Sequence, residues 1–244
     1  MAEAFDTVWR TGLWLKLNKC GIYSSSKLHK IIVNMYEGIK SCVFAGNIKS
    51  EFFGSFAGVR QGEILSPMLF SLYVNDLENY LTECGNPYVE LKNEMYNNYV
   101  KLLVLLYADD TIILSSSEAG LQKALNDLSN YCTKWKLKVN SSKTKVTIFS
   151  KRKPRNMPKF TFNNDALEIV DDFKYLGVVF KSNSHFNMCK LNLKEQSTKA
   201  MFALLSKGRT LQFPVDIMLE MFEKTVLPIM LYGVKRGDMV TTTC

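Results

Sequence analysis

The chain has 244 residues, 47% of them hydrophobic and 22% charged, enough to bury a core as one domain or as a large domain with a small appendage. Lysine and arginine outnumber aspartate and glutamate 31 to 23, a formal net charge of +8 that favours polyanionic partners, nucleic acid or an anionic membrane surface. The six cysteines, Cys20, Cys42, Cys84, Cys132, Cys189 and Cys244, form no CxxC pair, and only His29 and His185 could join them, which excludes a zinc pattern. Met1 to Arg10 lacks the basic start and apolar run of a secretory signal. The most apolar stretch, Val100 to Tyr107, falls far short of the about 20 residues that span a bilayer. The chain reads as a soluble intracellular protein, nuclear or cytoplasmic, without a membrane partner. Cys42 and Cys132 are expected as small buried thiols in a reducing compartment.

In chain order, Leu13, Leu17 and Cys20 share one helical face, and Gly21 supplies the stop. Ser24-Ser25-Ser26 caps a second helix to Tyr36, with Leu28, Ile31, Ile32 and Met35 inward and Gly38 at its end. Ser41 to Phe53 reads as two strands about the turn-prone Gly46-Asn47. Ser66-Pro67 opens a helix to about Leu81, with proline at its tolerated first position. Cys84 to Tyr99 is polar and reads as a surface loop or insertion. Val100 to Tyr107 is a buried strand partnered by Thr111 to Leu114. Ser115 to Glu118 fits a capping box for a helix whose inward face is Leu121, Leu125, Leu128, Cys132 and Trp135. Lys151 to Lys159 is a basic, proline-broken linker. Strands over Lys159 to Phe162 and Phe173 to Phe180 follow, then helices near Leu191 to Leu205 and Val215 to Leu227.

Two segments carry chemistry. In Leu105-Leu106-Tyr107-Ala108-Asp109-Asp110-Thr111-Ile112-Ile113-Leu114, adjacent carboxylates sit between two apolar strand segments, which places them at a hairpin tip. Neighbouring like charges repel, and a divalent cation offsets the repulsion; an Asp-Asp pair is equally the material of an ordinary turn. In Gly58-Val59-Arg60-Gln61-Gly62-Glu63-Ile64-Leu65-Ser66-Pro67, two glycines let backbone approach a ligand closely, and Arg60 and Gln61 can donate to a phosphate or a base edge. A helix N-terminus follows at once and favours an anion there. A plain strand-to-helix turn has the same pattern.

Together these residues resemble a known family. Tyr107-Ala108-Asp109-Asp110 resembles the catalytic box of reverse transcriptases, and Arg60-Gln61-Gly62 with Ser66-Pro67 resembles their template and nucleotide loop. Ala4-Phe5-Asp6-Thr7-Val8 is similar to the end of the first catalytic motif in non-LTR retrotransposon enzymes. Trp135-Lys136-Leu137-Lys138-Val139-Asn140 with Lys143-Thr144-Lys145 is similar to the next palm motif, and Phe173 to Val178 to the primer-grip hairpin. The resemblance implies an α+β fold: a right-hand polymerase palm, an antiparallel sheet packed on helices, with a partial thumb and the fingers largely missing. The expected division is a palm with a remnant of fingers over 1–150, a linker with the primer-grip hairpin over 151–185, and partial thumb helices with a tail over 186–244.

The resemblance also assigns roles. Asp109 is the principal metal ligand and Asp110 its neighbour, holding magnesium, two ions in the family, for phosphoryl transfer. Phe5 is the aromatic gate against a ribose 2′-hydroxyl. Arg60, Gln61 and Gly62 lie along the incoming nucleotide and templating base. Lys143 neutralises or protonates pyrophosphate, with Lys145 close behind, although both equally suit a solvated surface. Tyr175, Leu176 and Gly177 steady the primer end or simply form a hairpin core. The partners implied are an RNA template, a DNA primer and deoxynucleoside triphosphates. Arg60, Lys151, Arg152, Lys153 and Arg155 are candidates for phosphate contact, the last four also reading as a solvated linker. The family's first metal-binding aspartate stands five positions before the gate aromatic, which counts to a position before Met1. The chain is therefore expected to be an N-terminally truncated RNA-directed DNA polymerase domain with little or no activity as given. The alternative is a non-catalytic nucleic-acid-binding remnant of a retroelement.

Overall fold

The computed structural model describes residues 4–93, 98–150, 156–183 and 187–232. The basic stretch 151–155, His185 and the tail 234–244 lie outside them. The helices are α1 (Arg10–Lys19), α2 (Lys27–Tyr36), α3 (Leu65–Val74), α4 (Leu77–Glu83), α5 (Glu118–Lys134), α6 (Asn187–Leu211), α7 (Val215–Met221) and α8 (Leu227–Met230), with a π-helical turn over Phe222–Val226. The strands are β1 (Lys40–Ser41), β2 (Phe44–Ala45), β3 (Ile48–Lys49), β4 (Phe53–Gly54), β5 (Val89–Asn93), β6 (Asn98–Leu102), β7 (Val104–Tyr107), β8 (Asp110–Ile113), β9 (Lys145–Val146), β10 (Phe160–Phe162), β11 (Asp165–Ile169), β12 (Asp172–Tyr175) and β13 (Val178–Lys181). The fold is thus mixed helix and sheet. Among the described residues the pairings β1–β4, β2–β3, β5–β6, β7–β8, β10–β11 and β12–β13 are antiparallel, and β9–β11 is parallel. No helix of the described residues is long and apolar enough to cross a membrane.

The chain divides into two compact units, residues 1–144 with 158–167, and residues 145–157 with 168–244. The core of the first is built by Leu13 and Leu17 of α1, Leu69, Phe70 and Tyr73 of α3, Leu77 and Leu81 of α4, and Leu125, Leu128, Tyr131 and Cys132 of α5. The periodic face read along α5 therefore turns inward, with Trp135 buried just beyond it. Ser117 caps α5 by accepting from the backbone N–H of Gly120 at 3.1 Å. In the second unit α6 packs on β13 and on the C-terminal helices.

Several expectations need correction. Val100 to Tyr107 is not one buried strand: it divides between β6, paired with β5, and β7, paired with β8, and Val100, Leu106 and Tyr107 are exposed. The inward face of α2 is His29, Ile32 and Tyr36, while Leu28 and Ile31 are exposed and Met35 is half-buried. The buried face lies one position later than the aliphatic pattern, because His29 and Tyr36 are the residues whose rings pack against Trp14. Cys20 is exposed at the C-cap of α1, and Cys42 is half-buried. The polar stretch Cys84 to Tyr99 contains β5 and the start of β6, since cross-strand pairing from Val89↔Leu102 to Asn93↔Asn98 outweighs its loop-like composition. The helix expected to run to about Leu81 breaks at Asn75-Asp76 into α3 and α4, and it begins at Leu65, so Pro67 is its third residue; the N–H that proline lacks would have no intrahelical partner at that position in any case.

The break has a partner in the core. Lys16, 2% exposed, directs its ammonium onto the Asp76 carboxylate and the Tyr131 hydroxyl, the latter at 2.9 Å. Tyr131 in turn donates to Asp76 at 2.6 Å. The same ammonium lies 3.8 Å from the centroid of the Trp135 ring. One cation thereby joins α1, the α3–α4 break and the end of α5. Burial lowers the pKa of Lys16, against the opposing attraction of Asp76. Burial raises that of Tyr131, reinforced by its bond to Asp76, and takes Tyr73 to about 12 and Cys132 to about 11.

Two outcomes follow from this cluster. Asp76→Ala strands a buried ammonium and is expected to cost about 2 to 3 kcal/mol in urea denaturation, less than a fully enclosed pair because the carboxylate is partly solvated. Lys16→Met removes the charge with its need for a partner and is expected to cost less; equal losses would show that packing alone holds the junction. The raised groups also fix an alkaline limit. Cys132, ordinarily 9.0, and Tyr73, ordinarily 10.0, keep their protons in the folded chain where the unfolded chain releases them, so their stabilisation is whole below pH 9 and is lost as pH rises towards about 11 to 12; Tyr131, also raised by burial, adds a loss in the same sense above 10.0. Lys16, with its lowered pKa, acts in the opposite sense up to 10.5, as one group against three. The urea midpoint is expected to fall steadily above pH 9, and a flat midpoint to pH 11 would contradict the assignment.

Candidate functional site

The first catalytic segment forms a tight hairpin. Tyr107 pairs with Asp110, and Val104, Leu105 and Leu106 pair with Ile113, Ile112 and Thr111. The apolar arms are anchored at their base, where Leu103 and Val104 are buried, and Leu114 donates back to the Leu103 carbonyl at 2.9 Å. Only Ala108 and Asp109 are left to make the turn. Ala108 has φ 50°, a left-handed conformation costing about 1 to 2 kcal/mol for a residue with a Cβ. Tyr107, Ala108, Asp109 and Asp110 are all exposed at the tip.

The second segment packs against the residues near Phe5. Val59 donates its backbone N–H to the Phe5 carbonyl at 2.7 Å, and Gly58 to the Val8 carbonyl at 2.9 Å. Gly58 has φ +83°, and a Cβ there would lie 2.6 Å from the Asp6 carbonyl oxygen, so both conformation and space demand glycine. The Gln61 amide donates to an Asp6 carboxylate oxygen at 2.8 Å. The half-buried Phe5 ring rests on Phe70 of α3, centroids 5.2 Å apart. Gly62, also left-handed at φ +86°, has open space where a Cβ would stand. Phe5, Gln61 and Gly62 are thus held in one neighbourhood.

Arg60 turns elsewhere. Its guanidinium pairs with Glu63 at 2.6 Å and donates to the Met35 carbonyl at 2.9 Å, beside the Tyr36 ring. A residue that the motif did not single out organises the loop instead. Arg10 donates to the carbonyls of Ser55, Ala57 and Gly58 at 2.7, 2.9 and 2.9 Å, and to Tyr36 at 3.2 Å. Nothing in the sequence sets this arginine apart from the other basic residues, because its partners, mostly backbone oxygens, are distant in the chain.

Lys143 is exposed in a turn whose backbone N–H bonds to Asn140, and Lys145 pairs with Glu168 across β9–β11 at 2.5 Å. Tyr175, Leu176 and Gly177 form the tip of the β12–β13 hairpin in the second unit, with φ 46° at Leu176 and 82° at Gly177. Tyr232, which follows α8, donates its hydroxyl to the Leu176 carbonyl, and its ring lies 2.9 Å from where a Cβ on Gly177 would be. That contact had no local sequence signal.

For a metal, the donors are limited. Among the described residues no group of three or more His, Cys, Asp or Glu side chains gathers closely enough to hold an ion. Magnesium is commonly held by one or two carboxylates, with water and substrate phosphates in its other positions. Asp109 and Asp110 offer two such carboxylates, adjacent in the chain and exposed at the hairpin tip.

The family model described as reverse transcriptase (RNA-dependent DNA polymerase) matches residues 1–180. The chain is 26% identical over 243 residues to the RNA-directed DNA polymerase from mobile element jockey of Drosophila funebris, covering 96% of this chain and 25% of that protein. It is 28% identical over 246 residues to the probable RNA-directed DNA polymerase from transposon BS of Drosophila melanogaster, with coverage of 96% and 25%. It is 25% identical over 189 residues to the retrovirus-related Pol polyprotein from type-1 retrotransposable element R2 of Popillia japonica, covering 74% of this chain and 30% of that protein. The chain thus spans about a quarter of the length of the curated relatives it matches. The matched region takes in the Phe5 segment, the 58–62 loop, the Tyr107–Asp110 hairpin and β12, and the chain belongs to the reverse transcriptase (RNA-dependent DNA polymerase) family.

Proposed function

We propose that this chain is the palm, with the first helices of a thumb, of an RNA-directed DNA polymerase from a non-LTR retrotransposon. The observation that carries the reading is the tip of β7–β8, where a two-residue turn with a left-handed Ala108 exposes two adjacent carboxylates. Backbone strain of that kind persists where the surrounding structure over-determines it, commonly at functional sites.

In this reading Asp109 and Asp110 hold magnesium, which when bound supplies charge neutralisation at the phosphates. The chain's own residues do the rest. Phe5, steadied by Phe70, presents its ring where a ribose 2′-hydroxyl would collide. The loop fixed by Arg10 and Gly58 presents Gln61 and Gly62 to the incoming nucleotide and the templating base, with the open space beside Gly62 leaving room for a ligand. Arg60 acts through Glu63 and Met35 to shape the loop, and it reaches a phosphate only by giving up those bonds. Lys143, solvated, is available to the pyrophosphate. Tyr175, Leu176 and Gly177, braced by Tyr232, steady the primer end. The substrates are an RNA template, a DNA primer and deoxynucleoside triphosphates.

The carboxylate that the family places five positions before Phe5 is not among these 244 residues. A polypeptide of this sequence alone is accordingly expected to bind primer–template in a salt-sensitive way without extending it. Ordinary turnover in a magnesium primer-extension assay would overturn that. A longer polypeptide carrying an aspartate at that position is expected to extend primers, and Asp109→Asn in it to lower the rate at least about a hundredfold. If Asp109→Asn leaves the rate within twofold, the carboxylate assignment fails.

A further inference from the structure

The short ribbons β1–β4 and β2–β3, just before the 58–62 loop, expose an unusual set of rings. Phe44, Phe52 and Phe56 are 69%, 59% and 90% exposed, and Phe53 is exposed beside them. One such ring needs no explanation, but several together on a short segment mark a surface that something covers. Phe44 stands directly opposite Lys49 across β2–β3, so the two side chains share a face. The Lys49 ammonium lies 5.7 Å from the Phe44 ring centroid and 4.2 Å from that of Phe52. The segment therefore interleaves flat apolar faces with a positive charge. Lys40 adds a second cation against the single acid Glu51.

We propose that this ribbon is a stacking platform for single-stranded nucleic acid, with bases on Phe44 and Phe52 and a backbone phosphate at Lys49. Only an unpaired strand offers free base faces to such rings, and a cation between the rings lies where the phosphates linking stacked bases run. Continuity with the loop fixes the direction. The Ser55 N–H donates to Ile39 at 3.0 Å, and Arg10 clasps the carbonyls of Ser55, Ala57 and Gly58, so the ribbon is bolted to the loop that carries Gln61. The strand seated there is thus the template short of pairing, which deepens the polymerase reading and rests on it.

The test is fluorescence anisotropy of a labelled oligodeoxythymidine with the 244-residue chain, over a range of salt. The double variant Phe44→Ser with Phe52→Ser is expected to weaken binding at least about tenfold. Lys49→Gln is expected to lower the slope of log affinity against log salt by about 0.7. Both change exposed side chains, and unchanged thermal unfolding will show that the fold is kept. Affinity within twofold and an unaltered slope would overturn the platform. So would a wild-type chain that self-associates through the ribbon, dissociates in the double variant and binds the oligonucleotide equally in both forms. Loss of single-strand affinity in the variants, with no primer extension from any longer polypeptide, would instead sink the polymerase reading and leave the platform standing.

Discussion

The site depends on one contact: the guanidinium of Arg10 gathers the carbonyls of Ser55, Ala57 and Gly58 at the start of the first helix. Buried or half-buried carbonyls without donors are costly, and a planar group with five N–H donors can satisfy several at once. Because Arg10 opens α1 and Phe5 lies just before it, the clasp sets the loop against the Phe5 segment without a long connecting structure. Gly58 then closes the gap to Asp6, at a distance that no other residue permits. Remove either and Gln61 loses its position beside Asp6.

A second device holds the body beneath. Lys16, Asp76 and Tyr131 form a buried polar junction where three helical elements meet. Such a junction adds little net stability over an apolar one, but it penalises every arrangement in which the three elements are misaligned. The interruption between α3 and α4 belongs to the same device, since Asp76 sits in the break.

Much of the architecture was legible from periodicity and punctuation. The α5 face, the Gly46-Asn47 turn, the Asp109-Asp110 hairpin and the hairpin about Gly177 are all local, and local patterns survive into the fold. What escaped was non-local. Strand β5 hid in a polar segment because its stability comes from pairing with β6. The face of α2 was misplaced because aromatic neighbours, not aliphatic ones, decide which side is buried. The motif residues Phe5, Gln61 and Gly62 were legible as types, and the loop that carries Gln61 and Gly62 is bonded to the segment that carries Phe5. Arg60 was legible only as a charge, and its engagement with Glu63 and Met35 could not be read from spacing. Arg10 and Tyr232 carried no signal, since both act on backbone oxygens far away in sequence.

The burial of Lys16 gives the molecule a built-in clock. An amine-reactive label that modifies the exposed lysines within seconds cannot reach an ammonium enclosed by Trp135, Tyr131 and Asp76 until α1 parts from its neighbours. The rate at which that one amine is modified therefore counts openings of the first unit, residue by residue against its neighbours Lys19 and Lys134, in a chain that is otherwise folded.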